Sequence, residues 1–84
     1  MNELKAIIQK IVPDGKHGSP FAVATSEELL GSITFSLDPD VWKEKTIPQN
    51  GTFVCLSDIQ LKRAGWRALN ARFWRPSDEQ AKKN

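Results

Sequence analysis

Residues 62–75, KRAGWRALNARFWR, carry five basic side chains, and no acid stands between Asp58 and Asp78. The glycine before Trp66 and the Pro76-Ser77-Asp78 after Arg75 are turn signals, so 66–75 reads as a final strand. Its period of two places Leu69, Ala71 and Phe73 on a face expected to point inward. Trp66, Ala68, Asn70, Arg72 and Trp74 share the other face. Basic residues threaded with aromatic rings suit a surface that holds phosphates and stacks on bases. The same pattern also fits a strand with a buried apolar side and a solvated basic side.

Working back from that strand, four more come into view. Residues 4–12 (LKAIIQKIV) are β-branched and stop at Pro13-Asp14-Gly15, which favours a strand over a short helix of similar spacing. A polar loop, 16–20, leads into 21–25 (FAVAT). Residues 29–37 (LLGSITFSL) alternate Ile33, Phe35 and Leu37 with Ser32, Thr34 and Ser36, as a half-buried strand does, so Phe35 is expected in the core. Asp38-Pro39 is a helix-start signal, with Asp38 as N-cap and room for only a turn or two before Pro48. Trp42 in that turn is expected to fold over an open end of the sheet. Pro48-Gln49-Asn50-Gly51 turns the chain into 52–59 (TFVCLSDI), apolar on both sides and so a central strand. The expectation is an all-β domain over 1–76, a small closed or nearly closed five-stranded barrel with a short helical turn between strands three and four. A polar tail, 77–84, follows. Closure removes the exposed edges that a small open sheet would leave.

With that order of elements the chain resembles a cold-shock domain, the nucleic-acid-binding version of the OB fold, from Leu4 to Arg75. Gly18-Ser19-Pro20-Phe21 is similar to the family's glycine–aromatic motif on strand two, with Phe21 at an aromatic position. Gly31-Ser32-Ile33-Thr34-Phe35-Ser36 falls where its second aromatic motif lies. Asn50-Gly51-Thr52-Phe53-Val54 is similar to its turn into strand four, and Gly65-Trp66-Arg67-Ala68-Leu69-Asn70-Ala71 to its final strand. There are departures. Lys10 stands where the family shows an exposed tryptophan, Ser19 replaces the first aromatic, and Thr34 and Ser36 replace the aromatic and histidine of the second motif. Of the family's stacking platform, Phe21 alone remains on the matched positions.

Composition narrows the class. Eighty-four residues with 39% hydrophobic and 26% charged content make one small globular domain. A single cysteine, Cys55, excludes an intrachain disulfide, and one histidine leaves no zinc-binding spacing. Neither a metal nor another cofactor is expected. No run is apolar for the roughly 18–20 residues a membrane span needs, and the N-terminus lacks the layout of a signal peptide, so a cytoplasmic setting is expected. Asp38, Asp40 and Glu44 read as capping and first-turn charge, and Cys55 as a small buried hydrophobe, so no enzyme is expected. Net charge is only +2, which concentrates the argument on the local +5 of 62–75.

The functional expectation is a non-catalytic protein that binds single-stranded RNA or DNA with little sequence preference. Lys10, Lys16, His17, Lys62, Arg63, Arg67 and Arg72 would neutralise phosphates, while Phe21, Trp66 and Trp74 would stack on bases. The alternative is an adaptor whose Trp66, Trp74 and Arg72 form a protein-binding hot spot. Monomer and dimer both remain open, with Phe53 as a possible dimer contact.

Overall fold

The computed structural model describes residues 3–15 and 18–78; Lys16, His17 and positions 79–84 of the expected polar tail lie outside the described residues. Five strands form: β1 (Glu3–Val12), β2 (Phe21–Thr25), β3 (Ser32–Ser36), β4 (Phe53–Lys62) and β5 (Gly65–Phe73). They close a barrel in the order β1-β2-β3-β5-β4, with β4 pairing back onto β1. Every neighbouring pair is antiparallel except β3–β5, which is parallel. The fold is thus a nearly all-β, OB-fold-like barrel.

Small residues inside set the barrel's width. Ala6, Ala22, Ala24, Ala68 and Ala71 are buried, and the space they leave is taken by Leu4, Ile8, Ile33, Phe35, Val54 and Leu56. On β2 this puts both alanines inward and turns Phe21 and Val23 outward. Trp42 packs beneath, stacked on Phe35 at 5.9 Å and edge-on to Phe73 at 5.0 Å. Its indole N–H donates to the Thr46 carbonyl at 2.7 Å, which satisfies the polar atom of a buried ring. The chain on either side of Trp42 bonds to both backbone groups of Ala71, so this segment extends the β3 side of the seam against β5.

Three boundaries differ from the sequence reading. Gly31, at φ 84°, turns the chain before β3, leaving Leu29 half-buried and Leu30 exposed outside the strand. β4 runs three residues past Ile59, and the expected six-residue loop shrinks to the two-residue turn Arg63-Ala64 between paired Lys62 and Gly65. The expected helical turn closes as a single turn, with the Trp42 N–H donating to Asp38 O at 2.8 Å; the α-helical residues are 76–78, after β5.

The alternation expected for β5 does not hold along its length. Ala68 is buried, while Leu69 is 36% exposed. The cause is Asp58 on the paired strand, which sits at φ 53° opposite Leu69 and receives a hydrogen bond from the Asn70 side-chain amide. Both strands change parity there: Val54 and Leu56, then Ile59, face the core on β4, and Ala68, then Ala71 and Phe73, on β5. Trp66, on the Ala68 side of the change, therefore packs against the core and does not share an outward face with Trp74.

Candidate nucleic-acid interface

Cross-strand register builds an outward surface on β1–β2–β3. One row runs Val12, Phe21, Ser36; the adjacent row runs Lys10, Val23, Thr34 and, across the parallel seam, Arg67. Phe21 thus lies beside a row with a cation at each end. Three strand spacings of about 4.8 Å separate those ends, roughly 14 Å. Phe21 keeps part of its ring exposed, and Lys10 and Arg67 are exposed. A cleft of about 530 Å³ opens here, lined among others by Phe21, Thr34, Ser36, Asp38, Ala64 and Arg67. The β4–β5 turn brings Ala64 to its rim and carries exposed Lys62 and Arg63 beside it.

Gly15 sets the Phe21 ring. Its N–H donates to Ser19 O at 2.9 Å, and a β-carbon there would come within 2.6 Å of the ring and closer still to the Ser19 carbonyl. Only a residue without a side chain allows this loop to lie against Phe21. Sequence reading used Gly15 as a turn signal and missed that contact. It also cast Asp38 as a helix cap, whereas Asp38 closes the turn through its carbonyl, and its N–H donates to Ser36 Oγ at 3.0 Å.

Of the ten residues expected to bind, five gather here: Lys10, Phe21, Lys62, Arg63 and Arg67. Lys16 and His17 are outside the described residues. Trp66 is in the core wall, with its carbonyl accepting from Thr34 Oγ1 at 3.5 Å. Arg72 and Trp74 belong to the far end of β5, where Phe73 pairs with Val54, while Trp66 pairs with Leu61. Eight steps along the chain separate the two tryptophans, up to about 25 Å.

Arg72 is held in a clasp. Two of its nitrogens donate to the two Asp78 oxygens at 2.9 Å each, a third bond reaches Phe73 O at 3.1 Å, and Glu3 lies at 3.5 Å. The Asp78 hydrogen bonds push the guanidinium further up and, in return, hold the Asp78 carboxyl down at about 2. Asp78, expected in the polar tail, is thus an anchor of the barrel. Glu44 likewise accepts from Arg75 at 3.0 Å and from the Phe73 N–H at 3.1 Å. Cys55, beneath Arg72, is 3% exposed, and burial pushes its thiol up, which suits a packed side chain and not a nucleophile. Acids therefore occupy two of the five cations of 62–75; no ion pair among the described residues engages Lys10, Lys62, Arg63 or Arg67.

Beside the clasp, the Lys5 ammonium sits 4.7 Å from the Phe53 ring centre and 5.1 Å from that of Trp74. Among the described residues no helix is long and apolar enough to cross a membrane, and no cluster of histidine, cysteine or carboxylates could hold a metal ion. Comparisons with family models, with curated proteins and with solved structures give no match.

Proposed function

We propose that this protein binds single-stranded RNA or DNA, non-catalytically, on the cold-shock-like face of β1–β2–β3. The observation that carries the reading is Phe21: a large aromatic turned outward on a strand whose alanines point in, flanked by Lys10 and Arg67 and overlooked by Lys62 and Arg63. Its ring offers one stacking platform, and the four cations offer phosphate contacts around it. One ring and four charges favour a weak, salt-sensitive binder read mainly through the backbone. A cytoplasmic setting fits such a partner.

The test is fluorescence anisotropy of a labelled (dT)8 against salt. Arg67→Ala should lower the slope of log K on log salt by about 0.7, one single-strand phosphate contact. Arg72→Ala, whose side chain is spent on Asp78, should leave the slope unchanged and lower stability instead. Equal slopes for Arg67→Ala and the unmodified protein would remove Arg67 from the interface; a salt-independent Kd would remove the reading.

The adaptor reading shifts with the parted tryptophans. One observation still favours it: Phe53, 49% exposed, stands beside Lys5, Trp74 and Pro76 over a shallow groove. A protein partner there would bind with little dependence on salt.

A further inference from the structure

Resting on the nucleic-acid reading, we infer that the Phe21 cleft selects guanine at one position of the bound strand, with Asp38 and Arg67 reading two edges of the base. A carboxylate in a cleft meant only for phosphates is a misplaced charge, since it repels them; a carboxylate beside a stacking ring has a use on a base edge. Three hydroxyls line the cleft: Ser36 Oγ accepts from the Asp38 N–H at 3.0 Å, Thr34 Oγ1 donates to Trp66 O at 3.5 Å, and Ser19 supplies the third. Among the described residues no hydrogen bond or ion pair is made to the Asp38 carboxylate. The two charged side chains of the cleft are an acceptor-only carboxylate, Asp38, and a donor-only guanidinium, Arg67, and their opposite demands are what can tell one base edge from another.

The Asp38 backbone is fixed on both sides. Its N–H is held by Ser36, and its carbonyl accepts from the N–H groups of Val41 and Trp42 at 2.9 and 2.8 Å. The carboxylate is thus presented from a rigid turn, which lowers the ordering cost of binding.

Base chemistry then discriminates. Guanine alone offers two adjacent donors, N1–H and the N2 amine, that match the two oxygens of a carboxylate. Its O6 and N7 acceptors match a guanidinium fork. Adenine and cytosine each place a ring acceptor next to their amine, and thymine or uracil sets its one N–H between two carbonyls, so each brings an acceptor against Asp38. In a single strand both edges are open to side chains while the base stacks.

The experiment measures anisotropy with (dT)8 and with the same octamer carrying one central dG, dA, dC or deoxyinosine. The dG octamer should bind about five-fold or more tighter than (dT)8. Deoxyinosine, which lacks only the N2 amine, should forfeit most of that gain, and in Asp38→Asn the dG-to-(dT)8 affinity ratio should fall below about two. The inosine arm needs no altered protein, so it stands whatever the variant does to folding. Affinities within about two-fold for all bases, with binding intact, would overturn the guanine assignment alone. An equal dG preference in Asp38→Asn, or one unmoved by inosine, would also overturn it. If no octamer binds the folded protein at low salt, the nucleic-acid reading fails and this inference with it.

Discussion

Asp78→Asn removes the charge that Arg72 answers, and its cost can be worked from the geometry. The carboxyl accepts two bonds from Arg72 at 2.9 Å and one from the Arg75 N–H at 2.7 Å. Chiefly through Arg72, and against the opposing effect of burial, these hold it at about 2, below an ordinary 3.8. At about 1.4 kcal/mol per pKa unit, the ceiling on this contribution is about 2.5 kcal/mol. The side chains of the pair are 26% and 12% exposed. Solvent therefore screens part of it, and about 1 kcal/mol is the expected loss. That corresponds to a drop in Tm of about 4–8 °C for a domain of this size. Because the folded carboxyl titrates below the unfolded one, the contribution is fully present above about pH 4 and disappears as pH falls through about 2. Urea denaturation followed by circular dichroism, from pH 7 to pH 2, should show a gap between the two proteins that closes in acid. A gap of the same size at both ends, or none at pH 7, would refute the clasp and return Arg72 to the pool of phosphate ligands.

Phe21→Ala should weaken octamer binding by about 1–3 kcal/mol, the worth of one base stacked on a ring, whereas Phe21→Tyr should keep most of the affinity; equal losses in both would show that the ring face is not used. Gly15→Ala should bring affinity down toward the Phe21→Ala level and lower Tm, because the new methyl displaces both the Ser19 carbonyl and the Phe21 ring. Unchanged anisotropy titrations would show that the loop yields without moving the ring. Asp58→Ala should be less stable than Asp58→Gly by about 1 kcal/mol in urea midpoints, since both lose the bond from Asn70 but only glycine adopts φ 53° freely. Equal midpoints would mean that the backbone there is not strained.

The five strands were legible because each carried its own punctuation. Pro13-Asp14-Gly15, Pro48-Gln49-Asn50-Gly51 and Pro76 mark ends that a local rule can see. The alternation of 32–37 likewise gave the buried faces of Ile33, Phe35 and Leu37 directly. The β5 face was misread because its parity is decided on the other strand. A clue existed: apolar spacing on β4 runs Val54, Leu56 and then Ile59, an odd step centred on Asp58, a residue type that tolerates positive φ. Arg72 was assigned to phosphate because a sequence shows charge without showing its partner. The turn at 76–78 carries Asp78 back across six residues to meet it. Phe21 was legible only through a family resemblance, since outward Phe with inward alanines reverses the usual rule for which residue a strand buries.

The Arg72 guanidinium touches Glu3 at the start of β1 and Asp78 at the last described residue, so both ends of the barrel's chain meet at one side chain. Phe21 pairs with Val12 at the opposite end of β1, about 30 Å of strand away. The connectivity of the chain and the proposed binding face are consequently separable. A short peptide joining the two ends, with new termini cut into the exposed residues 49–51, would give a circular permutant of the same barrel. For the same reason the domain can be spliced into a loop of another protein through a single narrow neck, with the Phe21 cleft facing away from its host.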